Sequence, residues 1–192
     1  VKPHFVNLAQ KIDKFKNIEE YRGLHDLLEA IAHMKGTDQI SKEFEGVFKK
    51  ALEKSGKLDL ATNLSLAEAL NSVQGKIPAD LSSAIKDKAE GSLYNLKKTD
   101  FYRYFYITSI LKTPSDKVIN QYLRLKQKSR DMEFTREQVQ ELIKKFTPLK
   151  VNENSPISRL LEELGADEAL YEANSLDNRR PSDKRGPGSP PL

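Results

Sequence analysis

Residues 27–36 (LLEAIAHMKG) and residues 66–75 (LAEALNSVQG) carry the same apolar pattern 39 residues apart, and this recurrence decides the fold. Five positions match in order: Leu27, Ala30, Ile31, Met34 and Gly36 return as Leu66, Ala69, Leu70, Val73 and Gly75. A fixed period of about 40 residues is typical of stacked helical hairpins, because each pair of helices buries its apolar face only against its neighbours.

A fainter third copy extends the pattern. Asp59-Leu60, Leu64 and Leu70 return 41 residues later as Asp100-Phe101, Phe105 and Leu111. Apolar residues keep helical spacing between the copies, and no stretch shows convincing strand-like alternation. We therefore predict an all-α fold, a short α-solenoid of about three helical hairpins.

The domain organisation follows from the same pattern. The hairpins should occupy residues 19–150, after a leading helix in residues 1–18. Residues 151–176 should form an acidic C-terminal helix that is interrupted near Gly165. Residues 177–192 hold four of the nine prolines, a composition that cannot form a core. We predict a disordered, flexible Pro/Gly/Arg tail there, which would order only against a partner.

Local signals place several helix ends. Gly36 and Gly75 can end helices in the left-handed conformation. Asp100 can cap the first helix of the third hairpin, and Thr135 with Gln138 resembles a capping box.

Composition argues against most catalytic and metal sites. The chain has no Cys, which excludes disulfides and thiolate metal ligands. His25 and His33 stand eight residues apart on one predicted helix, too far to chelate one metal. No nucleophile, base and orienting group occur together, and no Gly-rich phosphate loop is present. We predict no enzymatic activity, no cofactor and no small-molecule substrate. No apolar run approaches the roughly 20 residues of a membrane span.

Positive charge is concentrated in residues 97–150, which carry a net charge of +7, while residues 151–176 carry −5. On the predicted helix before residue 130, Lys117, Arg124 and Lys128 share one face with Gln121, opposite the apolar residues. Such a stripe can follow a phosphate backbone, although a solvated helix face is an equally good interpretation. The predicted nucleic-acid contacts are Arg103, Lys117, Arg124, Lys126, Lys128, Arg130, Lys144 and Lys145.

An aromatic cluster occupies residues 101–106 (FYRYFY). Helical spacing puts Phe101, Tyr104 and Phe105 on one face and Tyr102 with Tyr106 on another. The second pair could stack on unpaired bases, with Arg103 on a phosphate. Packing against a neighbouring repeat or subunit is the competing interpretation, and aromatics favour such helix contacts.

The segment Leu66-Ala67-x-Ala69-Leu70, with Asp59-Leu60 before it, resembles octotricopeptide, heptatricopeptide and FAST-kinase-type repeats. Leu27-Leu28-x-Ala30-Ile31 fits the same pattern, and the resemblance covers residues 20–131. It implies an organellar protein that handles RNA or belongs to a ribonucleoprotein. No base-reading residues follow from it.

Three functional hypotheses remain from the sequence. The first is a structural, RNA-contacting subunit of a mitochondrial ribonucleoprotein, above all the mitoribosome, bound to ribosomal or single-stranded RNA and to other subunits. The second is a protein–protein scaffold, such as a soluble accessory subunit of a respiratory or ATP-synthase complex. In the third, the acidic C-terminal helix folds back on the basic block and masks it. Val1 is compatible with a mature mitochondrial form after removal of a targeting segment, or with a fragment.

Overall fold

The structure, a computed structural model, describes residues 9–12, 14, 16–34 and 42–188, with side chains as far as residue 176. This described part contains helices and no strand, which confirms the predicted all-α class. The chain divides into two compact units, Val1–Val118 and Ile119–Leu192. Most of the predicted leading helix, together with Gly36, lies outside the described residues.

The described residues of the first unit are mostly helical. Its α-helices are α1 (Leu24–Ala32), α2 (Glu45–Glu53), α3 (Leu60–Gln74), α4 (Ala79–Gly91) and α5 (Lys98–Leu111). Short 3₁₀ turns occur at Ile18–Glu20, Ser55–Lys57 and Leu93–Asn95. Helix α6 (Asp116–Lys128) begins in this unit, and the division between units falls within it.

Helix α3 is the centre of the first unit, because it contacts α1, α2, α4 and α5. Its buried residues point to all sides: Leu60, Asn63, Leu64, Ser65, Leu66, Ala67, Ala69 and Leu70. Ala69 is buried, whereas Ala30, at the equivalent position of α1, is exposed. The contacts of α1 with α3 and of α3 with α5 are those expected between first helices of successive hairpins. A continuous solenoid stays a prediction, because α6 is divided between the units.

The ends of α3 and α5 follow local chemistry. The Asp59 carboxylate accepts a hydrogen bond from the Thr62 N–H at 2.9 Å and caps α3. Partial burial acts to raise the pKa of Asp59, but the Thr62 hydrogen bonds and nearby cations outweigh it, so this pKa lies below the usual value of an aspartate. Asp100 stabilises α5 in a way the sequence did not predict. The helix begins at Lys98, and Asp100 accepts from the Lys97 N–H at 2.9 Å from inside the first turn.

Among the described residues, two helices end on a residue in the left-handed conformation, so substitutions at these two positions should change stability in opposite directions. Gly75 follows α3 at a φ of 71°, as predicted, whereas Lys112 follows α5 at 60°. Gly75→Ala should cost about 1 kcal/mol of stability, because a side chain strains this conformation. An added Cβ at Gly75 meets no atom within 4 Å, so the cost comes from the backbone. Lys112→Gly should gain about 0.5 kcal/mol. Urea denaturation measures both variants, and changes of equal sign would contradict this account.

The second unit contains the end of α6, α7 (Arg136–Phe146) and α8 (Pro156–Gly188), which packs against α7. The predicted capping box starts α7: the Thr135 N–H donates to Gln138 Oε1 at 3.0 Å, and the Gln138 N–H donates to Thr135 Oγ1 at 3.2 Å. Tyr122 and Phe134 stack at the centre of this unit, with ring centroids 4.8 Å apart.

Helix α8 is longer than predicted. It runs through Gly165 without a break, since an exposed glycine costs a helix only about 1 kcal/mol. It also continues past residue 176, so the backbone of residues 177–188 is helical where we predicted a flexible tail. Packing of the first turns through Leu160 and Leu164 provides a nucleus, from which extension by further residues is inexpensive.

No helix in the part of the chain that the structure describes is long and apolar enough to cross a membrane, as predicted.

Candidate functional site

A surface cleft of about 310 Å³ in the first unit brings α1, α3 and α5 together. Its polar and aromatic lining consists of His33, Glu68, Asn71, Ser72, Tyr102, Arg103 and Tyr106. Ala32, Ile107 and Ile110 supply apolar surface. Three residues of the predicted functional set, Tyr102, Arg103 and Tyr106, thus reach one cleft.

The two faces of the aromatic cluster on α5 are confirmed. Phe101, Tyr104 and Phe105 are buried, while Tyr102 and Tyr106 are half-buried. The rings of Tyr102 and Tyr106 lie 6.3 Å apart at a tilt of 40°, and both line the cleft. The Tyr104 hydroxyl accepts a hydrogen bond from the Ser115 N–H at 2.8 Å, and burial raises its pKa to about 12. Tyr104 therefore stabilises the turn after α5, whereas Tyr102 and Tyr106 supply aromatic surface to the cleft.

Arg103 joins three helices at the cleft wall. Its Nη2 donates to Ser65 Oγ at 2.8 Å and lies 3.5 Å from Glu68 Oε1, both on α3. Its Nη1 lies 3.4 Å from Nε2 of His25 on α1. The guanidinium that we predicted on a phosphate is thus engaged within the protein. The repeat indicates that α3 lies beside α5, but it does not identify Ser65 and Glu68 as the partners of Arg103.

One cluster in the described residues has donor atoms for a metal ion: His25, Asp26 and Glu29 on α1. His25 Nδ1 lies 3.3 Å from Asp26 Oδ1 and 4.0 Å from Glu29 Oε2. Three donors are fewer than the four of a closed zinc site or the six to eight oxygens of a calcium site. The carboxylates of Asp26 and Glu29 lie beside Nδ1 of His25, whereas Nε2 of the same ring faces Arg103.

The predicted basic residues are distributed unevenly. Lys117 belongs to the first unit and is exposed. In the second unit, Arg124 and Lys128 are exposed four residues apart on one face of α6, and Arg130 and Lys144 are exposed elsewhere. Lys145 is half-buried and forms an ion pair with Glu141 at 3.6 Å. Gln121, which shared the predicted stripe, is buried.

Lys126 lies in the interior of the second unit rather than on the predicted basic surface. Its side chain is 4% exposed, and its ammonium lies 3.2 Å from Glu163 Oε1 and donates to the Asp167 carboxylate. The Tyr171 hydroxyl of the same helix donates to the Phe134 carbonyl. Acidic residues of α8 therefore neutralise one cation of the basic block, while Arg124, Lys128, Arg130 and Lys144 stay exposed.

A second groove, of about 430 Å³, lies in the second unit between α6 and α8. Arg124, Arg159, Glu162 and Glu163 line it, with two amide side chains and Leu123. Arg159 donates to Asn120 Oδ1 at 3.0 Å. Two cations and two carboxylates balance, so this groove has no marked preference for an anion or a cation.

Comparison with known proteins adds no identification. No protein-family model, curated protein or solved structure matches this chain. Function is therefore inferred from the geometry of the cleft and from the exposed cations.

Proposed function

We propose that this chain is a non-enzymatic, RNA-contacting structural subunit of a mitochondrial ribonucleoprotein, with the mitoribosome as the first candidate. The observation that carries the proposal is the exposed pair Arg124 and Lys128 on one face of α6. Cations in this arrangement can follow a phosphate backbone, whose charge dominates RNA affinity. The mitochondrial location rests on the resemblance of the repeats to organellar RNA-handling proteins.

The charge distribution of the second unit favours Arg124 and Lys128, rather than Lys126, as the RNA contacts. Glu163 and Asp167 direct their carboxylates to Lys126, which is buried. These two acidic residues of α8 therefore pair with Lys126, while Glu163 remains 44% exposed. Arg124 and Lys128 are exposed on α6 and, in our proposal, contact RNA.

Charge reversal tests the proposal. The double variant Arg124→Glu/Lys128→Glu should weaken binding to single-stranded RNA, because two phosphate contacts are lost. The slope of log K against log salt concentration should fall by about 1.4, since each phosphate contact on a single strand contributes about 0.7. Fluorescence anisotropy at several salt concentrations measures both quantities.

The control is a variant with the same net charge. Lys49 and Lys86 are exposed in the first unit and belong to no predicted contact. Reversal of these two lysines should leave the salt slope within error of the original protein. Equal slopes for both double variants would show that binding reflects overall charge and would refute the assigned contacts.

A protein–protein scaffold, for example an accessory subunit of a respiratory or ATP-synthase complex, is the second candidate. It is favoured by the outer face of α8, where Leu170 is 59% and Leu176 is 57% exposed. Exposed Ala166, Ala169 and Ala173 lie on the same side of this helix, beside Glu172. Sedimentation of organelle extracts with and without RNase separates the two candidates. A heavy particle that collapses with RNase supports the ribonucleoprotein, and an RNase-resistant particle supports the scaffold.

A further inference from the structure

The wall of the first-unit cleft has the groups that bind a flat polar ring. Helix α3 presents Glu68, Asn71 and Ser72 on one face, because they stand three and four residues apart. Helix α5 adds the rings of Tyr102 and Tyr106. Aromatic surface beside a few convergent polar groups is how proteins hold unpaired bases. The volume, about 310 Å³, suits a ligand of this size.

The carboxylate of Glu68 determines which hydrogen-bonding groups a ligand in the cleft must present. An ionised carboxylate only accepts hydrogen bonds and offers about four lone-pair positions. Its contact with Arg103 uses Oε1 at 3.5 Å, which is longer than the 2.7–2.9 Å or so of a strong charge-assisted hydrogen bond. Glu68 therefore keeps acceptor capacity for donors of a ligand in the cleft.

Guanine is the RNA base that matches a carboxylate. Its pairing edge carries two adjacent donors, N1–H and N2–H, next to the O6 acceptor. Adenine and cytosine place a ring-nitrogen lone pair beside their amino group, and uracil places a carbonyl on each side of its one N–H. Those lone pairs would repel a carboxylate, whereas the Asn71 amide can donate to a nearby carbonyl such as O6.

We propose that this cleft binds an unpaired guanine base, stacked on a tyrosine ring, with its N1–H and N2–H groups donating to Glu68. The proposal rests on the proposed function, since it names the base that an RNA-contacting protein would bind here. A guanine base can come from RNA or from a free nucleotide, and the experiment separates the two sources.

The test uses uridine decamers that carry one central guanosine, inosine or adenosine, together with free GMP. The guanosine decamer should bind about tenfold more tightly than the adenosine decamer, as expected for a good bidentate contact. Inosine lacks the N2 amino group, so its decamer should have intermediate affinity. Glu68→Gln should remove the guanosine preference, because an amide presents a donor as well as an acceptor.

A matched variant controls for the loss of charge. Glu29→Gln changes an exposed carboxylate on α1 that does not line the cleft, and it should keep the preference. Urea denaturation of Glu68→Gln checks that loss of the Arg103 contact has not unfolded the first unit.

Each outcome decides a separate point. Equal binding of the guanosine and adenosine decamers overturns the guanine site, and salt-dependent binding of both would leave the proposed function standing. A preference that survives in Glu68→Gln refutes the assignment of Glu68. Binding of GMP as tight as that of the guanosine decamer identifies a free nucleotide as the ligand. In that case the guanine site stands, and the charge-reversal variants of Arg124 and Lys128 decide the RNA-contacting function separately.

Discussion

Replacement of Lys126 by Met should lower the free energy of unfolding of the second unit by about 3 kcal/mol. Methionine fills much of the same space but leaves the Asp167 carboxylate, which is 9% exposed, without its cation. A buried charge that loses its partner keeps its desolvation cost and loses the attraction that offset it. The carboxylate of Glu163 is 44% exposed, so water partly replaces the lost cation. The loss of stability should therefore lie near the lower end of the range for broken buried ion pairs. Guanidinium denaturation followed by circular dichroism measures it.

Two further variants separate the ion pair from side-chain size. Lys128→Met, on the same helix at an exposed position, should change stability by less than about 0.5 kcal/mol. The double variant Lys126→Met/Asp167→Leu should recover most of the loss, because apolar replacement of a whole buried pair is often neutral. Unaltered stability of the single variant would mean that the pair contributes nothing.

Leu70→Ala should cost the first unit about 3 kcal/mol, through lost apolar burial and the cavity left behind. Leu70 is fully buried on α3, the helix that contacts four others. The neighbouring helices cannot all move inward to fill the space, since α3 holds them on several sides. Urea denaturation gives the loss, and hydrogen exchange assigns it to the helices of the first unit.

The repeat offers its own control for this variant. Leu111 holds the equivalent position in the third copy but is only half-buried, so Leu111→Ala should cost about 1 kcal/mol. A loss at Leu111 as large as that at Leu70 would contradict the central position of α3.

Features that depend on neighbours within one turn could be predicted from the sequence. The left-handed Gly75, the capping box of Thr135 and Gln138, and the buried face of Phe101, Tyr104 and Phe105 all depend on local spacing. The helical spacing of apolar residues also predicted the all-α class, whereas the stacking of the helices as hairpins stays a prediction. Local spacing fixes which side chains share a face, and burial then follows from amphipathicity.

The partners of charged groups could not be predicted in this way. Arg103 contacts Ser65 and Glu68, 38 and 35 residues earlier, and Lys126 contacts Asp167, 41 residues later. Arg103 and Lys126 both lie on helices that have a polar face. The sequence does not show which part of that polar face another helix covers. The continuous helix through Gly165 was missed for a related reason, because packing of its first turns outweighs the preference of one glycine.

The position of α3 has a consequence for synthesis on the ribosome. When α1 and α3 have emerged, the side of α3 that α5 covers still faces solvent, because residues 98–111 follow only after α4 and a turn. At about 5–20 residues per second, synthesis of the 37 residues from Gly75 to Leu111 leaves this apolar surface uncovered for about two to seven seconds. The nascent chain is most prone to aggregation, and most in need of a chaperone, in that interval.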